Sequence, residues 1–220
     1  SAASDVYKRQ IRTSGNHENQ NILQYVDRNE KNSKKQGVNM GIIDLWLPIL
    51  VSAGACWVMS AIIWTVLKYH NSDYQKTADE DSVRAALRGN EPGYYLLPYC
   101  LDPAELKNAD VKQKYDEGPL AYITMLPNGV PAMGGKLVAM IIYFVIVGVV
   151  CAYFVTRTLA PEADYLAVFR VAGTVAFLAN SFAIVPESIW FGRPWSMTIK
   201  SFIDALIYGL LTGGVFGWLA

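Results

Sequence analysis

The sequence predicts an all-α integral membrane protein, a bundle of four transmembrane helices with a small α+β domain in the loop between helices one and two. Hydrophobic residues make up 52% of the 220-residue chain and charged residues only 17%, against about 25% charged residues in a soluble domain. The positive mean hydropathy, +0.19, arises from separate apolar blocks. Each block is close to the roughly 20 residues that a helix needs to cross the hydrocarbon core. The blocks are Leu45–Leu67, Leu137–Val155, Tyr165–Val185 and Phe202–Ala220.

The first 39 residues differ from the rest of the chain. They are polar, rich in Asn, Gln, Ser and Lys, and carry seven basic residues against four acidic ones, a composition that predicts disorder. The opening SAASDVYKRQ resembles a translated adapter or assembly artefact, and codons for Gln36–Asn39 can form a ribosome-binding sequence just before Met40. We therefore expect residues 1–39 to be a non-native tail and the native protein to begin at Met40. The alternative is a genuine basic tail that binds anionic lipid or nucleic acid.

A start at Met40 divides the chain into a first transmembrane helix over 40–68, a soluble cap loop over 69–136, and three further transmembrane helices over 137–220. The flank before the first helix has no Lys or Arg, whereas the loop after it carries Lys68, Lys76, Arg84 and Arg88. Basic residues favour cytoplasmic loops. The sequence thus predicts a bacterial inner-membrane protein with the long loop in the cytoplasm and both termini outside.

The long loop has its own secondary-structure signals. Thr77 or Asp79 can cap a short helix that ends at Arg88-Gly89, because acidic residues fill its first turn. Aromatic and β-branched residues predict two pairing strands, with a second helix between them that begins at a proline. The strands are predicted at Tyr94–Tyr99 and Leu120–Leu126, and the second helix at Pro103–Tyr115.

The last apolar block carries small residues at every fourth position. Small residues allow two helix backbones to approach closely in lipid, where no hydrophobic force drives helices together. The stripe predicts either packing within the bundle or contact between copies in a homo-oligomer. Its members are Ser201, Ala205, Gly209, Gly213 and Gly217.

Polar residues in or beside the apolar blocks are the candidate functional or structural residues, because a charge in hydrocarbon is costly unless it is paired or reaches the interface. Arg170 lies five residues into its block, about 7.5 Å along a helix, so it fits an interfacial anchor, a structural ion pair, or a substrate or ion site. Asn180, Glu187 and Asp204 are the other candidates in the spans. Arg193 lies among Trp190, Phe191 and Trp195, in a segment expected to lie on the membrane surface.

Motifs for chemistry are missing from the sequence. It contains no GxxxxGK[ST], GxGxxG, GxSxG or HExxH pattern, so we predict no catalytic, cofactor-binding or metal-ligating residues, no cofactor and no nucleic-acid partner. His70 is the single histidine after Met40. The acidic residues Asp73, Asp79, Glu80 and Asp81 fit either a divalent cation or the charged first turn of a helix, and their spacing favours the helix.

Several segments together resemble a family of uncharacterised bacterial four-span inner-membrane proteins. The segments are LWLPILVSA, HNSDYQKTADED, VRAALRG, PGYYLLP, GPLAYITMLPNG, DYLAVFRVAGTVAFL and SIWFGRPWSMTIKSFIDALIYGLLTGGVFGWL. The resemblance covers nearly all of 40–220 and none of 1–39. It implies an autonomous four-span protein that starts at Met40, and it implies no activity, cofactor or site.

Three functions follow from these observations. A non-enzymatic membrane subunit or scaffold is the first. Its predicted partners are the lipid bilayer and either further copies of the chain in a homo-oligomer or another protein of a membrane complex. An oligomeric permease or channel for small solutes is the second, and it requires Arg170, Asn180 or Asp204 to line a wet cavity. A membrane-embedded enzyme acting on lipid is the third. It would use His70, Arg193, Lys200 and Asp204 at the interface.

Overall fold

The computed structural model describes residues 41–220 together with Gln24, Tyr25 and Arg28, whose backbone is helical. The predictions for the rest of residues 1–39 lie outside the described residues. Within the described part, the chain is mostly helical and has one two-stranded sheet. Four helical segments are long and apolar enough to cross a membrane, which confirms the four predicted apolar helices and is consistent with an integral membrane protein. They are Ile42–Leu67, Met133–Thr158, Tyr165–Trp190 and Trp195–Leu219.

Seven α-helices and two strands follow one another along the described chain, with short 3-10 or π-helical turns between some of them. We call the end of the bundle from which residues 68–132 emerge the loop end, and the opposite end the far end. The elements are α1 (Trp46–Ile62), α2 (Glu80–Leu87), β1 (Gly93–Leu97), α3 (Ala109–Glu117), β2 (Ala121–Met125), α4 (Met133–Thr158), α5 (Tyr165–Ser181), α6 (Val185–Trp190) and α7 (Trp195–Leu219).

The first apolar helix ends in a sharp reversal. A π-helical turn, Ile63–Leu67, extends α1, and the backbone N–H of Lys68 donates to the carbonyl of Ile63 over 3.0 Å. Lys68 has a left-handed backbone (φ 51°), which costs a residue with a Cβ about 1 kcal/mol. The reversal places the next 3-10 turn, Tyr69–Asp73, against α7.

The loop contains the predicted first helix and the predicted strand pair. Asp79 is the N-cap of α2, with its Oδ1 accepting from the backbone N–H of Ser82 over 3.0 Å. The helix is followed by Gly89 at φ +94°, a conformation that glycine adopts without steric cost. Strands β1 and β2 pair antiparallel, from Gly93 opposite Met125 to Leu97 opposite Ala121.

The second predicted loop helix, Pro103–Tyr115, is wrong as a single element. The structure has a 3-10 turn, Pro103–Lys107, followed by α3. Asn108 separates them because it has an extended backbone and caps α3, its Oδ1 accepting from the N–H of Asp110 over 2.8 Å. An Asn side chain commonly replaces a backbone partner at a helix start in this way.

The apolar helices also differ from their predicted bounds, including at two of their starts. Helix α4 begins at Met133 instead of Leu137, and α7 begins at Trp195 instead of Phe202. The seven extra residues of α7 include Lys200. Its charge made a helix in lipid look unfavourable, but its ammonium group donates to the turn Tyr69–Asp73. The segment expected on the membrane surface therefore shortens to Phe191–Pro194, because Trp190 ends α6 and Trp195 begins α7.

The closest packing in the bundle is between α5 and α7. A Cβ added at Gly209 would lie 2.9 Å from the carbonyl oxygen of Gly173, and one added at Gly213 would lie 2.8 Å from that of Phe169. At Gly217 an added Cβ would lie 2.8 Å from the ring of Tyr165. Three glycines of the predicted stripe thus face α5 of the same chain. Ala205 is fully buried, and the hydroxyl of Ser201 donates to the carbonyl of Met197.

Candidate functional site

The structure brings five polar residues together at the loop end of the bundle. Tyr69, His70 and Asp73 come from the turn after the first apolar helix, and Lys200 and Asp204 come from one face of α7. The latter two are four residues apart, so their side chains lie on the same side of the helix. Asp204 lies nine residues into α7, about 13.5 Å along its axis. We call these five residues the polar cluster.

His70 is at the centre of the polar cluster and is only 4% exposed. Its Nδ1 lies 2.8 Å from Oδ2 of Asp73, and its Nε2 lies 2.9 Å from Oδ2 of Asp204. The hydroxyl of Tyr69 donates to the other oxygen of Asp204. The indole ring of Trp64 stacks on the imidazole with a centroid distance of 4.3 Å. Both ring nitrogens and one ring face are therefore covered by protein.

Lys200 ties the other side of the polar cluster to the loop. Its Nζ donates to Oδ1 of Asp73 over 2.5 Å, to the hydroxyl of Ser72 over 2.7 Å, and to the carbonyl of Tyr69 over 2.9 Å. An ammonium group has three donors, and all three are used. The hydrogen bond from Lys200 holds the pKa of the Asp73 carboxyl below its ordinary value of 3.8, with a smaller contribution from His70.

The number of N–H groups on His70 limits the hydrogen bonds that it can donate to Asp73 and Asp204. A neutral imidazole has a single N–H, so it can donate to only one of the two carboxylates that flank His70. Donation to both requires the imidazolium form, and the two positive groups, His70 and Lys200, then balance the charges of Asp73 and Asp204. A polar group buried in this way is stable only when its partners satisfy it. The polar cluster is a self-neutralising network when it carries that extra proton.

The predicted polar residues of the third span do not meet in the structure. Arg170 is exposed on the outer surface of α5 and makes no ion pair with any described residue. Asn180 instead links two helices, because its Oδ1 accepts from the hydroxyl of Tyr143 on α4 over 3.0 Å. Its Nδ2 donates to the carbonyl of Ala176 over 2.7 Å.

The remaining predicted residues lie at the loop end. The side chain of Glu187 is exposed on α6, and its backbone carbonyl accepts from the N–H groups of Phe191 and Arg193. Arg193 is half-buried and its Nε has no partner among the described residues. Neither Glu187 nor Arg193 has a side-chain contact with the polar cluster.

The acidic residues of the loop have separate roles in the structure. Asp73 belongs to the polar cluster, whereas Asp79 caps α2 and its pKa is lowered by hydrogen bonds from Ser82. Within residues 41–220 and the three described residues before them, no group of three or more His, Cys, Asp or Glu side chains is arranged to hold a metal ion. In the polar cluster, the ammonium group of Lys200 supplies positive charge to Asp73.

Sequence reasoning named His70, Lys200 and Asp204 together, but it missed Tyr69, Trp64 and the role of Asp73. Two spacings carry the signal, since His70 and Asp73 are three residues apart and Lys200 and Asp204 four residues apart. Each pair occupies one face of a helical turn. The local sequence does not show that the two pairs meet. They meet because the left-handed backbone of Lys68 reverses the chain.

The chain matches no protein-family model. No curated protein and no solved structure matches it either.

Proposed function

We propose that this protein is a non-enzymatic membrane subunit or scaffold, held in an inner membrane of bacterial type by four transmembrane helices. The single observation that supports this proposal is the saturation of the polar cluster. His70 and Asp204 are buried, Tyr69, Asp73 and Lys200 are part-buried, and all five are hydrogen-bonded within the cluster, so they serve to join the loop to α7. The resemblance of residues 40–220 to four-span inner-membrane proteins agrees with this proposal.

A general base needs a nitrogen or oxygen that can reach the proton of a substrate. His70 has carboxylates on both nitrogens, and the ring of Trp64 covers one of its faces. Lys200 likewise uses its three donors on the loop. The polar cluster therefore holds the end of the first span against the last span. This structural role is typical of a small subunit.

The permease alternative receives no support from the geometry. It requires Arg170, Asn180 or Asp204 to line a wet cavity. Arg170 lies on the outer surface, Asn180 bonds to Tyr143 and the helix backbone, and Asp204 is enclosed by Tyr69 and His70.

An enzyme acting on lipid is the second candidate, and one observation favours it. Three of the four residues that such an enzyme would use, His70, Lys200 and Asp204, are close together near the loop end. This candidate predicts that His70→Asn abolishes a lipid-modifying activity while the protein remains folded. The subunit proposal predicts that the same variant loses stability and that no activity depends on His70.

The subunit proposal is tested by purifying the protein from its native membrane at native expression in a mild detergent, with a tag after Ala220. Mass measurement and quantitative proteomics then give the size of the species and its partners. We expect a second protein at fixed stoichiometry. A single species without a second protein would refute an accessory-subunit role, and a homo-oligomer would redirect attention to flux through variants of Arg170 and Asp204.

A protease-protection experiment on intact membranes tests the proposed orientation. We place the long loop in the cytoplasm, with both ends of the four-span region outside, on the charge distribution of the connecting segments. Protease added to intact spheroplasts should leave the loop uncut, whereas protease added to inverted vesicles should cut between α2 and α3. Cleavage in spheroplasts alone would reverse the orientation.

A further inference from the structure

An apolar groove runs along the outer surface between α5 and α7. Its far part, about 230 Å³, includes Arg170, Gly173 and Thr174, and its loop-end part, about 480 Å³, is lined by apolar side chains such as Phe202 and Ile203 together with Thr198. The two parts share Phe177 and Leu206, so they adjoin.

Arg170 is the one charged residue among those that line this groove. Among the described residues no carboxylate pairs with it. The nearby Asp164 is engaged elsewhere, since its Oδ1 caps α5 by accepting from the N–H of Ala167 over 2.7 Å. A guanidinium group on a lipid-facing surface costs several kcal/mol unless it reaches the interface or an anion compensates it. An occupant with a negative group beside an apolar body would match both Arg170 and the groove.

The depth of Arg170 identifies the anion. Arg170 is five residues from the start of α5, about 7.5 Å from the far end, and its long side chain can extend toward the headgroups. On α7, Leu210 and Ile203 line the far and loop-end parts of the groove. They are separated by about 10 Å of helix rise, which is comparable to the apolar depth of one leaflet, about 15 Å. These lengths match one phospholipid, with its phosphate near Arg170 and an acyl chain along the groove.

We propose that the groove between α5 and α7 is a binding site for an anionic phospholipid, whose phosphate pairs with Arg170 and whose acyl chain lies between the two helices. The site depends on the membrane location of the helices and is independent of the subunit role. Phosphate is bound by arginine through two parallel hydrogen bonds. A second negative charge in the headgroup adds attraction that a zwitterionic lipid lacks.

The test is native mass spectrometry of the purified full chain after delipidation and titration with phosphatidylglycerol or phosphatidylcholine of identical acyl chains. We expect one phosphatidylglycerol molecule to bind in preference to phosphatidylcholine. Arg170→Gln should weaken that binding about tenfold, as expected for the loss of one charged hydrogen-bonded pair. Arg170→Lys should weaken it less than Arg170→Gln does, because the positive charge remains but the pair of parallel hydrogen bonds is lost.

Arg157→Gln is the matched control. Arg157 is also at the far end, but it lies over the ring of Tyr153 at 5.9 Å and does not line the groove. We expect this variant to bind phosphatidylglycerol as the parent does. Thr174→Trp fills the far part of the groove and should weaken binding of both lipids, which separates the contribution of the acyl chain from that of the phosphate.

Equal binding of the two lipids by the parent protein overturns the proposal, even if Arg170→Gln fails to fold. Unchanged binding in a folded Arg170→Gln variant overturns it as well. A dimer mass that disappears in Arg170→Gln would show that a second copy of the chain occupies the groove instead of a lipid.

Discussion

Replacement of Gly213 by alanine tests the close packing of α5 and α7. The added Cβ would lie 2.8 Å from the carbonyl oxygen of Phe169 and 3.1 Å from the Cα of Gly173. Both are backbone atoms of α5, so no side chain can rotate away to make room. A relaxed contact between carbon and oxygen is about 3.3 Å, which means that the helices must separate locally by about 0.5 Å.

The free-energy cost follows from that separation. A gap of 0.5 Å forfeits about a quarter of the dispersion energy of each contact, and overpacking of this kind costs about 3 kcal/mol at the upper end of its range. Alanine recovers about 1 kcal/mol because it favours helix over glycine. We expect Gly213→Ala to lower the free energy of unfolding by about 2 kcal/mol.

Gly214→Ala is the internal control for this measurement. A Cβ at Gly214 would meet only the hydroxyl of Tyr165, at 3.9 Å, so this variant should gain up to about 1 kcal/mol from helix propensity alone. Unfolding in mixed micelles of dodecyl sulfate and dodecyl maltoside, followed by tryptophan fluorescence, gives both values. Equal stabilities for the two variants would refute the close approach of α5 and α7 at this point.

Three further outcomes are expected. Asp204→Asn should destabilise the protein by about 3 kcal/mol, because it removes the buried carboxylate that accepts from Tyr69 and lies beside Nε2 of His70. Glu187→Gln, which removes an exposed carboxylate, should change the free energy of unfolding by less than about 0.5 kcal/mol. The pKa of Asp73 lies below its ordinary 3.8 in the folded state, so its contribution to stability is present above pH 3.8 and is lost as the pH falls below that value. The stability difference between the parent and Asp73→Asn should therefore shrink on acidification. A difference that stays constant with pH would contradict the ion pair with Lys200. Cys100 is half-buried and burial raises the pKa of its thiol, whereas Cys56 and Cys151 are buried in the bundle. A maleimide should label Cys100 alone in the folded protein, at a rate that increases with pH as the thiolate forms. Labelling of the Cys100→Ser variant would show that the bundle opens.

The sequence was sufficient to predict the elements whose signals are local. The four apolar blocks, the first loop helix and the two aromatic strands follow from residues that are neighbours in the chain, and the structure has all of them. The sequence offered Thr77 or Asp79 as the cap of that helix, and the structure has Asp79. A predicted helix boundary was wrong where a residue far away in the sequence determines where the helix begins. Helix α7 extends back to Trp195 because Lys200 finds acceptors on a turn that is more than 120 residues away in the chain.

The polar cluster could be predicted only in part for the same reason. Hydropathy shows that Lys200 and Asp204 are expensive in lipid, but it cannot show which groups compensate them. That compensation depends on Lys68 adopting a left-handed backbone and directing Tyr69–Asp73 toward α7. Arg170 is the opposite case, because no described residue supplies a counter-charge to it. Its functional or structural role therefore stays a prediction.

The reversal at Lys68 also has a consequence for biogenesis. The turn at Tyr69–Asp73 emerges from the ribosome well before α7, since 127 residues separate Asp73 from Lys200. Until α7 is made, His70 and Asp73 lack the partners that α7 supplies, and polar groups without partners are more stable in water than in an apolar interior. Packing of α7 then brings Lys200 and Asp204 against the turn at Tyr69–Asp73. A chain that stops short of α7 would therefore leave this imidazole and this carboxylate without those partners.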